Sequence, residues 1–293
     1  MGETLKIYRL PVDRQFQPDR QNFVAPPHNS QWGCEQDFED WLRRSEYATD
    51  DSHRADWDYL PVFWNRYYIN NSWGQGGLIE LQAEILSLVS RNRPTFTITE
   101  YDLSSMQPFW DLCSMTVFTA SRRGPSGIDI PLLCSPHDAD APHAARRWLA
   151  SFAGNLNTHS PRPEMAAALA GREDCRVEHA DKGERYFVDL MLDSYLALCP
   201  RGHGGASFRF YEAMQLGIAP LLIGDLDTRP FPRWLDWDKV SLYRPGVEGL
   251  SRYLDGLDRD GLVTMGRRAR DMYVNCLAYG QWCRYVIKEL EAR

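Results

Sequence analysis

One stretch of this chain admits few alternatives. Residues 195–225, YLALCPRGHGGASFRFYEAMQLGIAPLLIGD, run from an apolar segment through a glycine-rich turn and a short amphipathic segment to a second apolar run. Leu196–Cys199 suits a buried strand, which Pro200 and the glycines at 202, 204 and 205 break. Ser207 can cap a helix, Gly217 can end it, and Ile218–Ile223 is a second strand closed by Gly224. The pattern predicts a βαβ unit with its loop at the carboxyl end of the first strand. Open α/β sheets bind ligands at that edge.

Arg209 gives the unit a chemistry. With Ser207 as cap it falls in the first turn of the helix, where a cation opposes the macrodipole at a cost of about 0.3–1 kcal/mol. A bound anion reverses that sign. A diphosphate could take backbone N–H groups from the turn, with Arg201, Gly202, Gly204, Gly205 and Ser207 around it, and a charge-assisted pair from Arg209. Glu212, three residues on, could accept the two hydroxyls of a ribose, or could form a plain exposed pair with Arg209 worth a few tenths of a kcal/mol. His203 lies in the turn without a role. A second arginine repeats the arrangement: in SPRPEMAAAL at 160–169 the prolines suit a helix start, so Arg162 also sits at a helix N-terminus. Two such arginines invite one shared anion; the alternative is that Arg162 reaches Glu164 or Asp174.

At 293 residues the chain is long enough for two domains, each with its own core. A net charge of −7 argues against nucleic acid or an anionic membrane as partner but leaves room for a local basic pocket. The seven cysteines, at 34, 113, 134, 175, 199, 276 and 283, are odd in number and lack metal spacing, so reduced thiols in a cytoplasmic setting are expected. The opening MGETLKIYRLP has no leader core, and no segment approaches the ~20 apolar residues of a spanning helix. No cofactor is expected, and homo-oligomerisation is left open.

Along the chain, residues 1–55 read as loop with a helix at Cys34–Ser45. Trp57–Phe63, Thr95–Thr99 and Thr116–Ala120 read as strands, Leu78–Ser90 as a helix, and 128–133 as an edge strand interrupted by Pro131. The acidic, proline-containing SPHDADAPH at 135–143 suits a linker. Beyond it come a strand at Trp148–Asn155, helices at Pro163–Gly171 and Tyr186–Leu192, the βαβ unit, and helices at Leu250–Asp255 and Gly261–Arg293. The expected domains are 1–143 and 144–275, with 276–293 returning to the first.

With these residues in place the chain resembles the exostosin-like glycosyltransferases. YATDDSHRADWDYLPVFW at 47–64, RPTFTITEYD at 93–102 and IDIPLL at 128–133 are similar to elements of that family's first half. LASFAGN at 149–155, Arg162, SYLALCPRG at 194–202, SFRFYEAMQLGIAPLLIGD at 207–225 and RPFPRWLDW at 229–237 follow the family's order in the second. The resemblance implies an α/β, GT-B fold: two Rossmann-like domains facing a central cleft, the donor held by the second. It implies inverting, metal-independent transfer from a nucleotide sugar, commonly a UDP-sugar, to a glycan or glycolipid. Carried over by position, Arg162 and Arg209 meet the diphosphate and Glu212 the ribose. One departure stands out, because the family's His-Asp at the end of the second strand reads Tyr101-Asp102 here. Asp102 is the expected base, with Glu100 and Glu80 in reserve, and Trp64, Tyr67 and Trp73 are candidates to stack on acceptor sugars. Two alternatives stay open. Asp225-Leu226-Asp227 resembles a DxD metal motif, and the chain could be a silent nucleotide-sugar- or glycan-binding subunit.

Overall fold

The computed structural model describes residues 4–21, 33–90, 92–100, 106–137, 142, 145–179 and 182–293. The chain divides into two compact units, Met1–Ile130 with Tyr279–Arg293, and Pro131–Ala278. Each is α/β and built on its own parallel sheet, the two-sheet content that the GT-B expectation requires.

The first unit contains β1 (Ile7–Arg9), β2 (Ala48–Thr49), β3 (Trp57–Leu60), β4 (Thr95–Thr99), β5 (Thr116–Thr119) and β6 (Ile128–Asp129), in the order β2-β1-β3-β4-β5-β6. Every residue of β3 and β4 is buried, as befits central parallel strands covered on both faces by helices. Those helices are α1 (Cys34–Arg43), α2 (Trp64–Asn70), α3 (Leu78–Leu88) and α4 (Gln107–Leu112). Aromatic rings tie them to the sheet: Tyr59 stacks on Phe96 at 5.1 Å, and Phe38 of α1 meets both edge-on at 5.2 and 5.8 Å. Each such pair contributes about 0.5–1.5 kcal/mol beyond its buried area. The strand expected to reach Phe63 stops at Leu60, because Pro61 removes the next ladder donor and the chain turns into α2.

The second unit contains β7 (Trp148–Gly154), β8 (Cys175–His179), β9 (Ser194–Pro200), β10 (Ala219–Ile223) and β11 (Leu242–Arg244), all parallel, in the order β11-β10-β9-β7-β8. Its helices are α5 (Pro161–Ala168), α6 (Glu184–Leu192), α7 (Phe208–Leu216), α8 (Leu250–Asp255) and α9 (Arg259–Met272). The predicted unit at 195–225 is β9-α7-β10, and Gly217 ends α7 in the left-handed region at φ 75°. Gly266 of α9 packs on that turn so closely that a Cβ there would lie 2.3 Å from the Gly217 carbonyl oxygen.

The long C-terminal helix expected from 261 onward is broken. α9 passes into a π-helical turn at Tyr273–Leu277, Ala278 is extended, and a separate helix α10 (Cys283–Glu291) lies in the first unit. Gly280 N–H and Trp282 Nε1–H both donate to the Asp37 carboxylate at 2.8 Å, which anchors the returning segment to α1. No helix among the described residues is long and apolar enough to cross a membrane.

Candidate functional site

In the second sheet β7 leads to β8 on one side, while its other neighbour β9 leads to β10 on the opposite side. Where adjacent strands send the chain in opposite directions, their following loops part and leave a crevice at the carboxyl edge. Each of these two loops enters a helix whose second residue is arginine, Arg162 in α5 and Arg209 in α7. The two side chains cross. Arg162 Nε donates to the Arg201 carbonyl just past β9 at 3.1 Å, and Arg209 Nε donates to the Ala153 carbonyl of β7 at 3.2 Å.

Arg162 also donates to the Asn155 carbonyl at 2.7 Å and to Thr158 Oγ1 at 3.1 Å. It has no carboxylate partner among the described residues; Asp174, one of the two considered for it, is held by Arg172 at 2.8 Å. Burial, and after it the charge of Arg209, pushes the Arg162 pKa down to about 10. Two part-buried cations side by side, one without a carboxylate partner among the described residues, leave an electrostatic demand for an anion. Gly202 faces the same guanidinium, with Arg162 Nη2 3.5 Å from where its Cβ would stand.

Arg209 pairs with Glu212 on its own helix and lies over the Phe187 ring, its Cζ 3.6 Å from the centroid. This is not the exposed pair considered from the sequence, since the two side chains are 15% and 0% exposed. Burial works to raise the Glu212 pKa, but Arg209 and then His137 outweigh it and hold the carboxyl below its ordinary value. The Glu212 carboxylate is fully buried and turned to Arg209, with no oxygen at the surface.

Arg201 is buried and spent within the loop. It donates through Nε to the Gly204 carbonyl at 3.1 Å and through Nη2 to the His203 carbonyl at 3.4 Å, and it pairs with Asp225. It shapes the glycine turn rather than presenting a free fork to a ligand. The Gly202 N–H is likewise internal, donating to the Ala206 carbonyl at 3.1 Å. Gly204 and Gly205 are buried and His203 is exposed. Ser207 caps α7 by position, in extended backbone at φ −139°, but its side chain makes no cap bond. That hydroxyl is buried and has no hydrogen-bond partner among the described residues. The first N–H groups of α7 therefore lack a side-chain acceptor, the state in which a helix end takes an anion. Asp227, the other acid of the DxD-like pair, is held by Arg229 at 2.7 Å.

In the first unit Tyr101 and Asp102 lie outside the described residues. Glu100, just past β4, is buried beside Glu35, whose Oε1 accepts its N–H at 3.1 Å. Burial first, then the neighbouring Glu35, pushes Glu100 well above the usual carboxylate range. Glu80 is exposed in the first turn of α3. Trp64 is 1% exposed, donates through Nε1 to Thr97 Oγ1 at 2.7 Å and meets Trp110 edge-on, so it is core and has no face for a sugar. Tyr67 is also core, its hydroxyl donating to the Gly77 carbonyl at 2.8 Å. Trp73, at φ 58° and 45% exposed, is the aromatic of the three that reaches the surface.

The linker reading of 135–143 concealed one member of the site. His137 Nδ1 lies 2.6 Å from Glu184 Oε1 of α6, and its Nε2 lies 3.6 Å from Glu212 Oε1. Gln215, one turn past Glu212 on α7, accepts the His137 N–H at 2.7 Å and donates to the Ser135 carbonyl at 3.0 Å. The polar residues Glu212 and Gln215, three apart and in line with Arg209 on one face of α7, were the available signal for this strap.

The model of the exostosin GT47 domain matches residues 1–246. The chain belongs to the exostosin GT47 family. A Caenorhabditis elegans exostosin-1 homolog is 27% identical over 101 residues, which cover 34% of this GT47 chain and 26% of the relative. An Arabidopsis thaliana protein named "probable glycosyltransferase" is 34% identical over 102 residues, covering 34% of the chain and 19% of that protein. The matched GT47 segment thus spans about a quarter of one relative's length and a fifth of the other's. Among solved structures, HepE of Anabaena in complex with UDP aligns with 99% of the chain and 100% of its own, at 9% identity and a TM-score of 0.43.

Proposed function

We propose that this exostosin GT47 chain is a glycosyltransferase whose second unit holds the diphosphate of a nucleotide sugar, a UDP-sugar, at the crevice between β7 and β9. The observation that carries the reading is the crossed arginine pair, half-buried at a topological switch point with Arg162 lacking a carboxylate among the described residues. In sugar transfer the diphosphate leaves with its negative charge, and fixed cations with a helix N-terminus stabilise that charge as it develops. Arg162, Arg209, the start of α7 and the Ser207 hydroxyl supply those groups. Glu212 keeps Arg209 aimed, and Arg201 holds the loop that carries them.

The acceptor, a glycan hydroxyl, is assigned to the first unit, with Asp102 as base and Trp73 as a stacking surface. Direct attack of that hydroxyl on the anomeric carbon inverts it. Metal-independent chemistry is the favoured form, because Asp225 and Asp227 are each engaged by an arginine that a divalent cation would have to displace. A panel of nucleotide sugars tests the whole reading by thermal shift and hydrolysis, with and without chelator. The expected result is selective stabilisation by UDP and UDP-sugars with chelator-resistant hydrolysis. Binding without turnover would replace the enzyme by a silent subunit, and full activity in Asp102→Asn would remove that base.

A further inference from the structure

His137 joins the strap at 134–137 to the arginine site through its ring, and nothing in the proposed chemistry uses it. Its ring is 1% exposed and lies between two carboxylates, Glu184 of α6 on Nδ1 and Glu212 of α7 on Nε2. A neutral imidazole carries one proton. If Nδ1–H donates to Glu184, the Nε2 lone pair faces the Glu212 oxygen, a repulsive contact in a buried setting. Neither Nε2 nor Glu212 Oε1 has another hydrogen-bond partner among the described residues. A second proton turns that contact into attraction.

We propose that His137 is a positioning residue which, as an imidazolium clamped between Glu184 and Glu212, keeps the Glu212–Arg209 pair electrically balanced and so sets the affinity of the crevice for a diphosphate. The inference rests on the donor-site reading above. The charges around the ring are Glu184 on α6 and Glu212 and Arg209 on α7, with the Cys134 thiol and the Tyr273 hydroxyl, 3.4 Å apart, beyond Gln215. With the imidazolium present these groups sum to zero; without its proton the buried cluster becomes an anion beside an anion site. Burial works to lower the His137 pKa, but Glu212 and then Glu184 outweigh it and raise it above the ordinary histidine value. The raised value favours the cation, which is lost as pH rises through it.

The expected behaviour is a UDP affinity that weakens with rising pH. UDP titrates too, so the ratio that matters is wild type over His137→Gln at each pH. That ratio should fall about five- to tenfold from pH 6.5 to 9, the size of an ordinary coupling between sites. Linkage requires the reverse as well, so saturating UDP should raise the NMR titration midpoint of the His137 ring by the same factor. Glu184→Gln, a half-exposed change that leaves Glu212 and Arg209 in place, should move the fall to lower pH, which covers the case of a glutamine variant that folds poorly. A UDP profile with the same pH dependence in wild type and both variants overturns the proposal and leaves the donor site standing. Absence of UDP binding by the wild type at any pH overturns both.

Discussion

Replacing Arg162 by methionine separates binding from stability in a way that few surface or core changes would. The side chain keeps its length and loses its charge. In the free protein it forfeits three hydrogen bonds, to Arg201, Asn155 and Thr158, worth about 1 kcal/mol each. Against that stands the cost of holding the cation where it is. A pKa of about 10 corresponds to about 3 kcal/mol of unfavourable surroundings for the charged form. The two contributions cancel, so the urea-unfolding free energy of ligand-free Arg162→Met should stay within about 1 kcal/mol of wild type. Binding has no such offset. Loss of a charge-assisted contact to a diphosphate, with Arg209 left to face it alone, should weaken UDP by about 2–4 kcal/mol, roughly 30- to 1,000-fold in a calorimetric titration. Unchanged UDP affinity, or a loss of stability beyond about 3 kcal/mol with binding per folded molecule intact, would show that Arg162 is a structural brace and refute the anion argument.

Arg209→Ala should behave oppositely, since it leaves the buried Glu212 carboxylate with His137 alone as counter-charge; the second unit should lose about 3 kcal/mol on chemical denaturation, and Arg209→Ala with Glu212→Ala should recover part of it. Asp225→Asn releases Arg201 from its partner, and because Asp225 is largely exposed the stability change should be about 1 kcal/mol or less, with UDP affinity reduced to the same extent whether or not chelator is present. Gly266→Ala forces a methyl against the Gly217 carbonyl and should destabilise the second unit by about 3 kcal/mol, seen as a lower melting temperature. In the first unit, burial pushes Glu35 up to about 8, so the folded state holds a proton that the unfolded chain releases near its ordinary value. Stability should therefore decline as pH rises from about 4.5 toward 8, and Glu35→Gln should flatten that decline in pH-dependent melts.

What the amino-acid order disclosed follows from where the apolar residues are continuous. β4, β9 and β10 are buried on both faces and read directly from their hydrophobic runs, and with them came the glycine turn and both arginines. β8 escaped because it is an edge strand whose Arg176 and Glu178 break the run, and β11 because three half-buried residues carry no pattern. The arginines were placed by helix-start chemistry, but their crossing depends on strand order, which no local pattern encodes. Trp64 and Trp73 illustrate the opposite limit. Both are tryptophans near one helix, and only the packing against Thr97 and Trp110 tells the core residue from the exposed one. His137 was hidden for a related reason: a proline- and acid-rich segment looks like a connector until α7 supplies the glutamine that straps it down.

The crossed arginines also bear on the order in which the protein acquires its chemistry during folding. β9, α7 and β10 are consecutive, so the glycine turn and its Arg201–Asp225 closure form from contacts no more than 24 residues apart. Arg209 gains its bond to Ala153 only across 56 residues, and Arg162 reaches Arg201 across 39, both after β7 has docked beside β9. Loop-closure entropy favours the nearer contacts first. A chain emerging from synthesis thus closes the glycine turn before the two arginines cross it, and their alignment is among the last features the second unit gains.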